Sequence, residues 1–157
     1  MKINWKKLII CIAIPLLVGG LSALLTRESM QAFATLDKPP LSPPGWLFPV
    51  VWTMLYILMG IASYIVSTSA APATKKDGAL AVYGISLVFN FFWSIIFLNM
   101  EMYLFAFFWL IALWLLVIWT AVLFGRINKT AGILMIPYIL WVTFAAYLNF
   151  GIYLLNK

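Results

Sequence analysis

The distribution of charge along the chain is the feature that most restricts its fold. The 157 residues include ten Lys or Arg and four Asp or Glu, and these fall in small clusters. Between the clusters lie five uncharged stretches, at 8–26, 39–74, 78–100, 102–125 and 130–156. Each can hold the roughly 20 apolar residues of a membrane-spanning helix. A β-barrel would show short alternating segments instead.

The composition agrees with a membrane protein. Hydrophobic residues make up 66% of the chain and charged residues 9%, against about 45–50% and about 25% in soluble domains. We therefore predict an all-α integral membrane protein, a single five-helix bundle over residues 1–157. The predicted spans are 8–26, 43–67, 79–98, 103–124 and 131–154, with Gly125 ending the fourth.

The basic residues predict an orientation. Seven of the ten Lys and Arg residues lie on the side of the N-terminus, in residues 1–7 and in the loops 69–78 and 125–130. Loop 27–42, loop 99–102 and the C-terminus carry the other three. The positive-inside rule then places the N-terminus in the cytoplasm and the C-terminus outside, in the cell membrane.

Several classes of site are disfavoured by residues that the sequence lacks. There is no histidine, and Cys11 is the one cysteine, so neither an imidazole base nor an internal disulfide is available. We predict no metal site and no conventional acid–base or nucleophilic centre. The spans carry no deep charge, which argues against an ion pump or a proton-coupled transporter. No basic run indicates nucleic acid as a partner.

The proline-rich segment 38–44 predicts a stiff connection between the first two spans. Pro39, Pro40, Pro43 and Pro44 restrict their own φ angles and push the preceding residues out of the α region. We predict that Ser42 caps the second helix, with Pro43 at its first position. Loop 27–42 is then expected to form an ordered cover over the membrane helices.

Aromatic and amide side chains recur at helical spacing on three spans, so that each set shares one helix face. Trp52 and Trp141 lie too deep for the interfacial belt in which tryptophan is usually found. Two interpretations remain open, namely packing between helices and an aromatic cavity for a flat apolar ligand. The three faces are Trp52, Tyr56 and Gly60; Asn90, Trp93 and Phe97; and Trp141, Ala145 and Asn149.

Three segments resemble the signature segments of the translocator protein family (TspO/MBR). They are KPPLSPPGWLFPVVWTMLYILMG at 38–60, NFFWSIIF at 90–97 and PYILWVTFAAYLNF at 137–150. The family is also known as tryptophan-rich sensory protein and peripheral-type benzodiazepine receptor. The resemblance extends over essentially the whole chain and is to a bacterial-type member.

The resemblance implies a homodimer with a pocket beneath the loop between spans one and two. It implies binding of protoporphyrin IX and of benzodiazepine-site ligands such as PK11195, with no covalent cofactor and with membrane lipid as a neighbour. Light-dependent porphyrin breakdown would involve Trp52 and Trp141. Sterol binding is not favoured, because Phe150 replaces the tyrosine of the eukaryotic motif. The expected ligand-binding residues are Ala23, Trp46, Pro49, Trp52, Tyr56, Asn90, Trp93, Phe105, Trp141, Ala145, Leu148 and Asn149.

Three functions remain open at this point: a tetrapyrrole-binding receptor, a light-dependent porphyrin-degrading enzyme, and a transporter of porphyrin or lipid. Arg27 or Lys38 is expected at the cavity mouth, where either could pair with porphyrin propionates. The absence of histidine favours a metal-free porphyrin over haem. The Gly19–Ala23 face of the first span is one candidate for the dimer contact, since small residues let helices approach closely.

Overall fold

The computed structural model describes residues 2–157, and five of its helices are long and apolar enough to cross a membrane. The spans are Trp5–Leu25, Leu47–Ser67, Ala73–Asn99, Tyr103–Ile127 and Lys129–Asn156. The predicted five-helix membrane bundle is therefore confirmed, and no strand occurs in the described range. In chain order the helices are α1 Trp5–Leu25, α2 Arg27–Phe33, α3 Leu47–Ser67, α4 Ala73–Ser94, α5 Tyr103–Ile127, α6 Lys129–Leu134 and α7 Ile136–Asn156.

The start of α3 differs from the prediction. The helix begins at Leu47, whose N–H donates to the carbonyl of Pro44, and not at Pro43. Ser42 does not cap it; the Ser42 hydroxyl donates instead to the carbonyl of Pro39. Pro44 disfavours the α region for Pro43, which explains why the helix does not begin at Pro43.

The other four spans are each longer than the predicted spans. The third span begins at Ala73, directly after Pro72. Its first turn is polar and lies outside the uncharged stretch, but it is helical. It ends in a π-helical turn, Ile95–Asn99. Gly125 lies inside α5, which continues to Ile127. Asn128 then caps α6 by accepting from two backbone N–H groups, so the helix break is set by this cap and not by the glycine.

The core lies where α3, α4, α5 and α7 meet. Met59, Leu110, Leu113, Val142 and Tyr138 are fully or almost fully buried there. Two short connections keep neighbouring helices antiparallel, residues 100–102 between the third and fourth spans and Asn128 between the fourth and fifth. The lipid-facing surfaces of the spans are apolar as well, which is expected for a protein whose solvent is the bilayer.

The first span packs mainly against α3, through glycines on both helices. A Cβ atom at Gly60 would lie 2.6 Å from the Cα of Ile12, and one at Gly19 would lie 2.1 Å from Cε2 of Tyr56. Small residues therefore permit the close approach of α1 and α3. Gly19 packs against Tyr56 of its own chain, whereas Ala23 is exposed, so a dimer contact on the Gly19–Ala23 face stays a prediction.

Residues 26–46, called the lid below, connect α1 to α3 and contain α2. Three side chains from the ends of the bundle hold the lid. Asn99 Nδ2 donates to the carbonyl of Leu25, and its Oδ1 accepts from the Ser29 hydroxyl. Asn156 pairs with both backbone groups of Asp37, at 2.7 and 3.2 Å, and the Tyr147 hydroxyl donates to Pro40 at 2.7 Å. The lid is thus an ordered segment, tied near its start, middle and end.

Candidate functional site

A cavity of about 310 Å³ lies inside the bundle, in the half next to the lid. Its wall combines the last turns of α1, the first half of α3, the end of α4 and the second half of α7, and the lid contributes Met30, Phe33 and Gly45. This volume is at the lower end of the range for small-molecule sites, about 300–1,000 Å³. Eight of the residues predicted to bind ligand line it: Ala23, Pro49, Trp52, Tyr56, Trp93, Ala145, Leu148 and Asn149.

Stacked aromatic rings form two sides of the cavity. Trp52 stacks on Tyr56 with the ring centroids 5.6 Å apart and the planes inclined by 26°. A second pair in the lining, Trp93 on Phe97, stacks at 5.3 Å and 20°. Such rings offer flat apolar surface with only a few polar edges, which suits an aromatic ligand that can lie against them.

Hydrogen bonds fix the orientation of Trp93. Its indole Nε1 donates to Oδ1 of Asn149 at 3.0 Å. The Nδ2 of Asn149 donates in turn to the carbonyl of Tyr103 at 2.8 Å. Asn149 is almost fully buried and thereby joins α4, α5 and α7 along one wall. Its two hydrogen bonds are made within the protein, so Asn149 serves mainly to hold the wall in place.

Asn90, predicted to contact ligand, lies beyond the cavity wall. It is buried, and its Nδ2 donates to the Tyr138 hydroxyl at 2.8 Å. The Tyr56 hydroxyl donates to its Oδ1 over a long 3.5 Å. Asn90 therefore links α3, α4 and α7 and supports the ring of Tyr56 from behind, as a positioning residue.

Trp141 also lies outside the lining, directly behind Trp52. The two indole rings meet edge to face, 6.4 Å apart and at 89°. The other side of Trp141 contacts Phe48 at 6.0 Å, and Phe48 itself lines the cavity. The indole Nε1 of Trp141 is buried and has no hydrogen-bond partner among residues 2–157. Trp141 can thus influence a ligand only through Trp52 and Phe48 in this arrangement.

Trp46 and Phe105, two further predicted ligand contacts, face away from the cavity. Trp46 directly precedes α3 and is 67% exposed. Phe105 is 48% exposed on α5 and packs against Trp109. No residue of α5 lines the cavity. For these two side chains the alignment with the family motif does not correspond to a place in the cavity wall.

None of the lining residues in the described part of the chain carries a charge. The Lys38 ammonium donates to the carbonyls of Ala34 and Leu36 at 3.1 and 3.2 Å and lies 5.1 Å from the Phe33 ring centroid. It therefore closes the end of α2 and is already paired. Arg27 is exposed and follows the lining residue Thr26 in the chain.

Sequence reasoning predicted Ala23 of α1 as a ligand contact and the loop as a cover, but it named no other lining residue on either. Gly19 lies four positions before Ala23 and Thr26 three positions after it, so extending the helical face of Ala23 would have found both. The lid residues carried no such periodic signal, because their positions depend on the path of an irregular segment. The main residues missed are Gly19, Ser22, Thr26, Phe33 and Phe48, while Phe97 was placed on a predicted face but not named as a ligand contact.

Comparison with known proteins agrees with this architecture. The model of the TspO/MBR family matches residues 11–155. The chain is 37% identical over 150 residues to the tryptophan-rich protein TspO of Chlorobaculum tepidum, covering 95% of both chains. It is 37% identical to the protein of the same name in Archaeoglobus fulgidus, covering 98% of this chain and 99% of the relative. The translocator protein of Bos taurus is 30% identical over 92% of this chain and 86% of its own length. The chain belongs to the TspO/MBR family.

Proposed function

We propose that this membrane protein binds a flat tetrapyrrole, with protoporphyrin IX as the representative ligand, in the cavity beneath the lid. The observation that carries the proposal is the pair of stacked aromatic walls, Trp52 on Tyr56 and Trp93 on Phe97, around an uncharged cavity. A planar macrocycle would bury its faces against these rings. Burial of apolar surface contributes about 25 cal/mol per Å² to such binding.

The size of the cavity sets how the ligand would lie. A volume of about 310 Å³ is at the small end for drug-sized ligands, so a tetrapyrrole would be enclosed only in part. Its propionates would stay at the mouth, since a carboxylate buried without a partner is costly. Arg27 is the cation we propose as their partner. The uncharged aromatic part of the ring would enter between the two walls.

A dark titration of the purified protein with protoporphyrin IX tests this function. We expect saturable binding, followed by porphyrin absorbance and by quenching of tryptophan fluorescence. Replacing Trp52 by Ala removes one wall and should weaken binding roughly tenfold, the loss of a stacked ring. Trp119→Ala is the matched control, because Trp119 is 55% exposed on the lipid-facing side of α5. Absence of saturable binding in the unaltered protein would refute the proposal.

Light-dependent degradation of the bound porphyrin is the second candidate function. It is favoured by the direct contact of Trp52, which lines the cavity, with Trp141 behind it. In this reaction the excited porphyrin would supply the oxidising species together with dissolved oxygen, and the indoles would lie within reach of it. The chain itself offers no histidine and no group of three metal-ligating side chains among its described residues.

Absorbance under illumination separates binding from degradation. If the protein degrades porphyrin, the porphyrin bands should fade faster with protein than without it, and more slowly in Trp52→Phe and Trp141→Phe. Trp119→Phe should behave as the unaltered protein. Saturable dark binding with no protein-dependent loss in light would leave a binding function alone.

We also propose that the protein lies in the cell membrane with its N-terminus in the cytoplasm. The proposal rests on the seven Lys and Arg residues on the N-terminal side of the bundle. The lid and the cavity would then lie in the outer half of the membrane. Homodimer formation, implied by the family resemblance, remains a prediction, and cross-linking in native membranes would test it.

A further inference from the structure

A groove lies on the outer surface of the bundle, between α5 and α7, and two prolines of the lid contribute to it. Its volume is about 490 Å³, which exceeds the volume of the cavity. None of the residues described as lining this outer groove also lines the cavity. The outer groove is therefore a separate site, which the proposed tetrapyrrole binding does not use.

The outer groove is built jointly by the two helices and the lid. The rings of Phe107 on α5 and Phe150 on α7 contact each other with their centroids 5.0 Å apart. Pro39 of the lid is seated directly on Gly151, where an added Cβ would lie 2.6 Å from Cγ of the proline. Whatever fills the outer groove thus touches α5, α7 and the lid at the same time.

The lining of the outer groove is apolar. Tyr147 has the one polar side chain among the described lining residues, and its hydroxyl already donates to the carbonyl of Pro40 at 2.7 Å. Tyr147, Leu154 and Leu155 remain 43%, 47% and 50% exposed, so the protein itself does not fill the space beside them. Such a lining can hold an aliphatic occupant by apolar contact, with no side-chain hydrogen bond or ion pair to orient it.

The position and length of the outer groove indicate which aliphatic molecule fits. Along α7 it extends from Ala146, at the middle of the helix, to Leu155 at the end tied to the lid by Asn156. Nine residues of helix rise about 14 Å, and one leaflet contributes about half of a hydrocarbon core roughly 30 Å thick. The outer groove therefore runs from the membrane surface to near the midplane, as an acyl chain does.

We propose that the outer groove binds one acyl chain of a phospholipid from the lid-side leaflet, and that this lipid packs against Pro39 and Pro40 and stabilises the lid. The proposal commits to a phospholipid because the depth matches one leaflet and the lining offers no free polar group. It does not depend on what the cavity binds, so porphyrin titrations and lipid measurements can fail separately.

Native mass spectrometry of the protein, purified in mild detergent with added phosphatidylglycerol, tests the site. We expect one retained phospholipid per chain. Ala146→Phe places a ring in the outer groove and should lower retention roughly tenfold, the loss of about two buried methylene groups. Val88→Phe is the matched control, because Val88 is 52% exposed on α4 and lies outside the outer groove. No retained lipid in the unaltered protein, or equal retention in both variants, would overturn the inference.

Two further measurements identify the occupant and its effect. A phospholipid with a diazirine at the end of one acyl chain should cross-link to the peptides of Ile111 and Ala146, the deep end of the outer groove. In nanodiscs, the backbone amides of the lid should exchange faster in Ala146→Phe than in Val88→Phe. Cross-links spread evenly over all spans, displacement of the lipid by added sterol, or a lipid-free dimer that buries this face would each contradict the proposal.

Discussion

Trp93 and Asn149 are joined by a hydrogen bond of 3.0 Å, from the indole Nε1 to the amide Oδ1, which ties α4 to α7 along the cavity wall. The same amide reaches the first residue of α5 through Nδ2. One buried side chain thus aligns three membrane helices and fixes the plane of an aromatic ring in the candidate site. In a bilayer the hydrophobic effect does not drive helices together. Interhelical hydrogen bonds therefore contribute part of the free energy of helix association.

Replacing Asn149 by Leu should destabilise the bundle by about 1–3 kcal/mol, because the Trp93 indole N–H loses its acceptor in a buried place. Thermal unfolding in detergent, followed by circular dichroism, measures this loss. Trp93→Phe removes the donor and some volume but keeps a ring against Phe97 and the bond from Asn149 to Tyr103, so it should cost less. A Tm of Asn149→Leu equal to that of the unaltered protein would contradict the role assigned to this amide.

Gly19→Ala should reduce ligand binding, mainly by displacing the ring of Tyr56. The added Cβ would lie 2.1 Å from Cε2 of Tyr56, so the Tyr56 ring must move and disturb its stack with Trp52. Overpacking of this kind typically costs about 1–3 kcal/mol. Gly20→Ala is the control, since nothing lies within 4 Å of a Cβ there. Porphyrin titrations of both variants provide the comparison, and equal affinities would argue against coupling between α1 and the site.

Asn156→Ala should loosen the lid. The Asn156 amide makes hydrogen bonds to both backbone groups of Asp37, and both would be lost. We expect faster hydrogen exchange at the backbone amides of residues 34–42 and faster dissociation of bound porphyrin, since local opening follows the loss of such ties. Lys157→Ala, one residue further along, should leave both rates unchanged. Identical exchange in the two variants would show that the lid is held by other contacts.

The proposed orientation can be tested with single cysteines in a Cys11→Ala background. Glu28→Cys lies in the lid, and Thr74→Cys lies at the opposite end of the bundle. A membrane-impermeant maleimide should label Glu28→Cys in intact cells and Thr74→Cys only after permeabilisation. The reverse pattern would place the N-terminus outside and would show that the Lys and Arg bias does not set the topology of this chain.

The five spans could be predicted from the sequence because the bilayer imposes a length and an apolar character on each of them. The ends of the helices could not be predicted as well, because caps and prolines determine them. Pro44 keeps Pro43 out of α3, which begins at Leu47, and α5 ends at the Asn128 cap and not at Gly125. The lengths of the apolar stretches alone do not predict the effect of a proline or of a capping residue on where a helix begins or ends.

The candidate site was predictable on α3, α4 and α7, where helical periodicity placed Trp52, Trp93 and Ala145 on inward faces, and the cavity lies there. Periodicity did not give the depth of each side chain within the bundle. Asn90 and Trp141 point inward but lie behind the lining, and this depends on how the helices are rotated and packed. The contribution of Phe33 in the lid depends on an irregular path that no local pattern specifies.

The most direct test of the account compares two neighbouring alanines of α7. Ala145 is buried and lines the cavity, whereas Ala146 lies on a separate outer groove between α5 and α7. Ala145→Phe should fill the cavity and abolish saturable dark binding of protoporphyrin IX, while Ala146→Phe should bind as the unaltered protein does. Circular dichroism should report the same helix content for both. Full binding by a correctly folded Ala145→Phe would show that the ligand does not enter this cavity and would contradict the central claim.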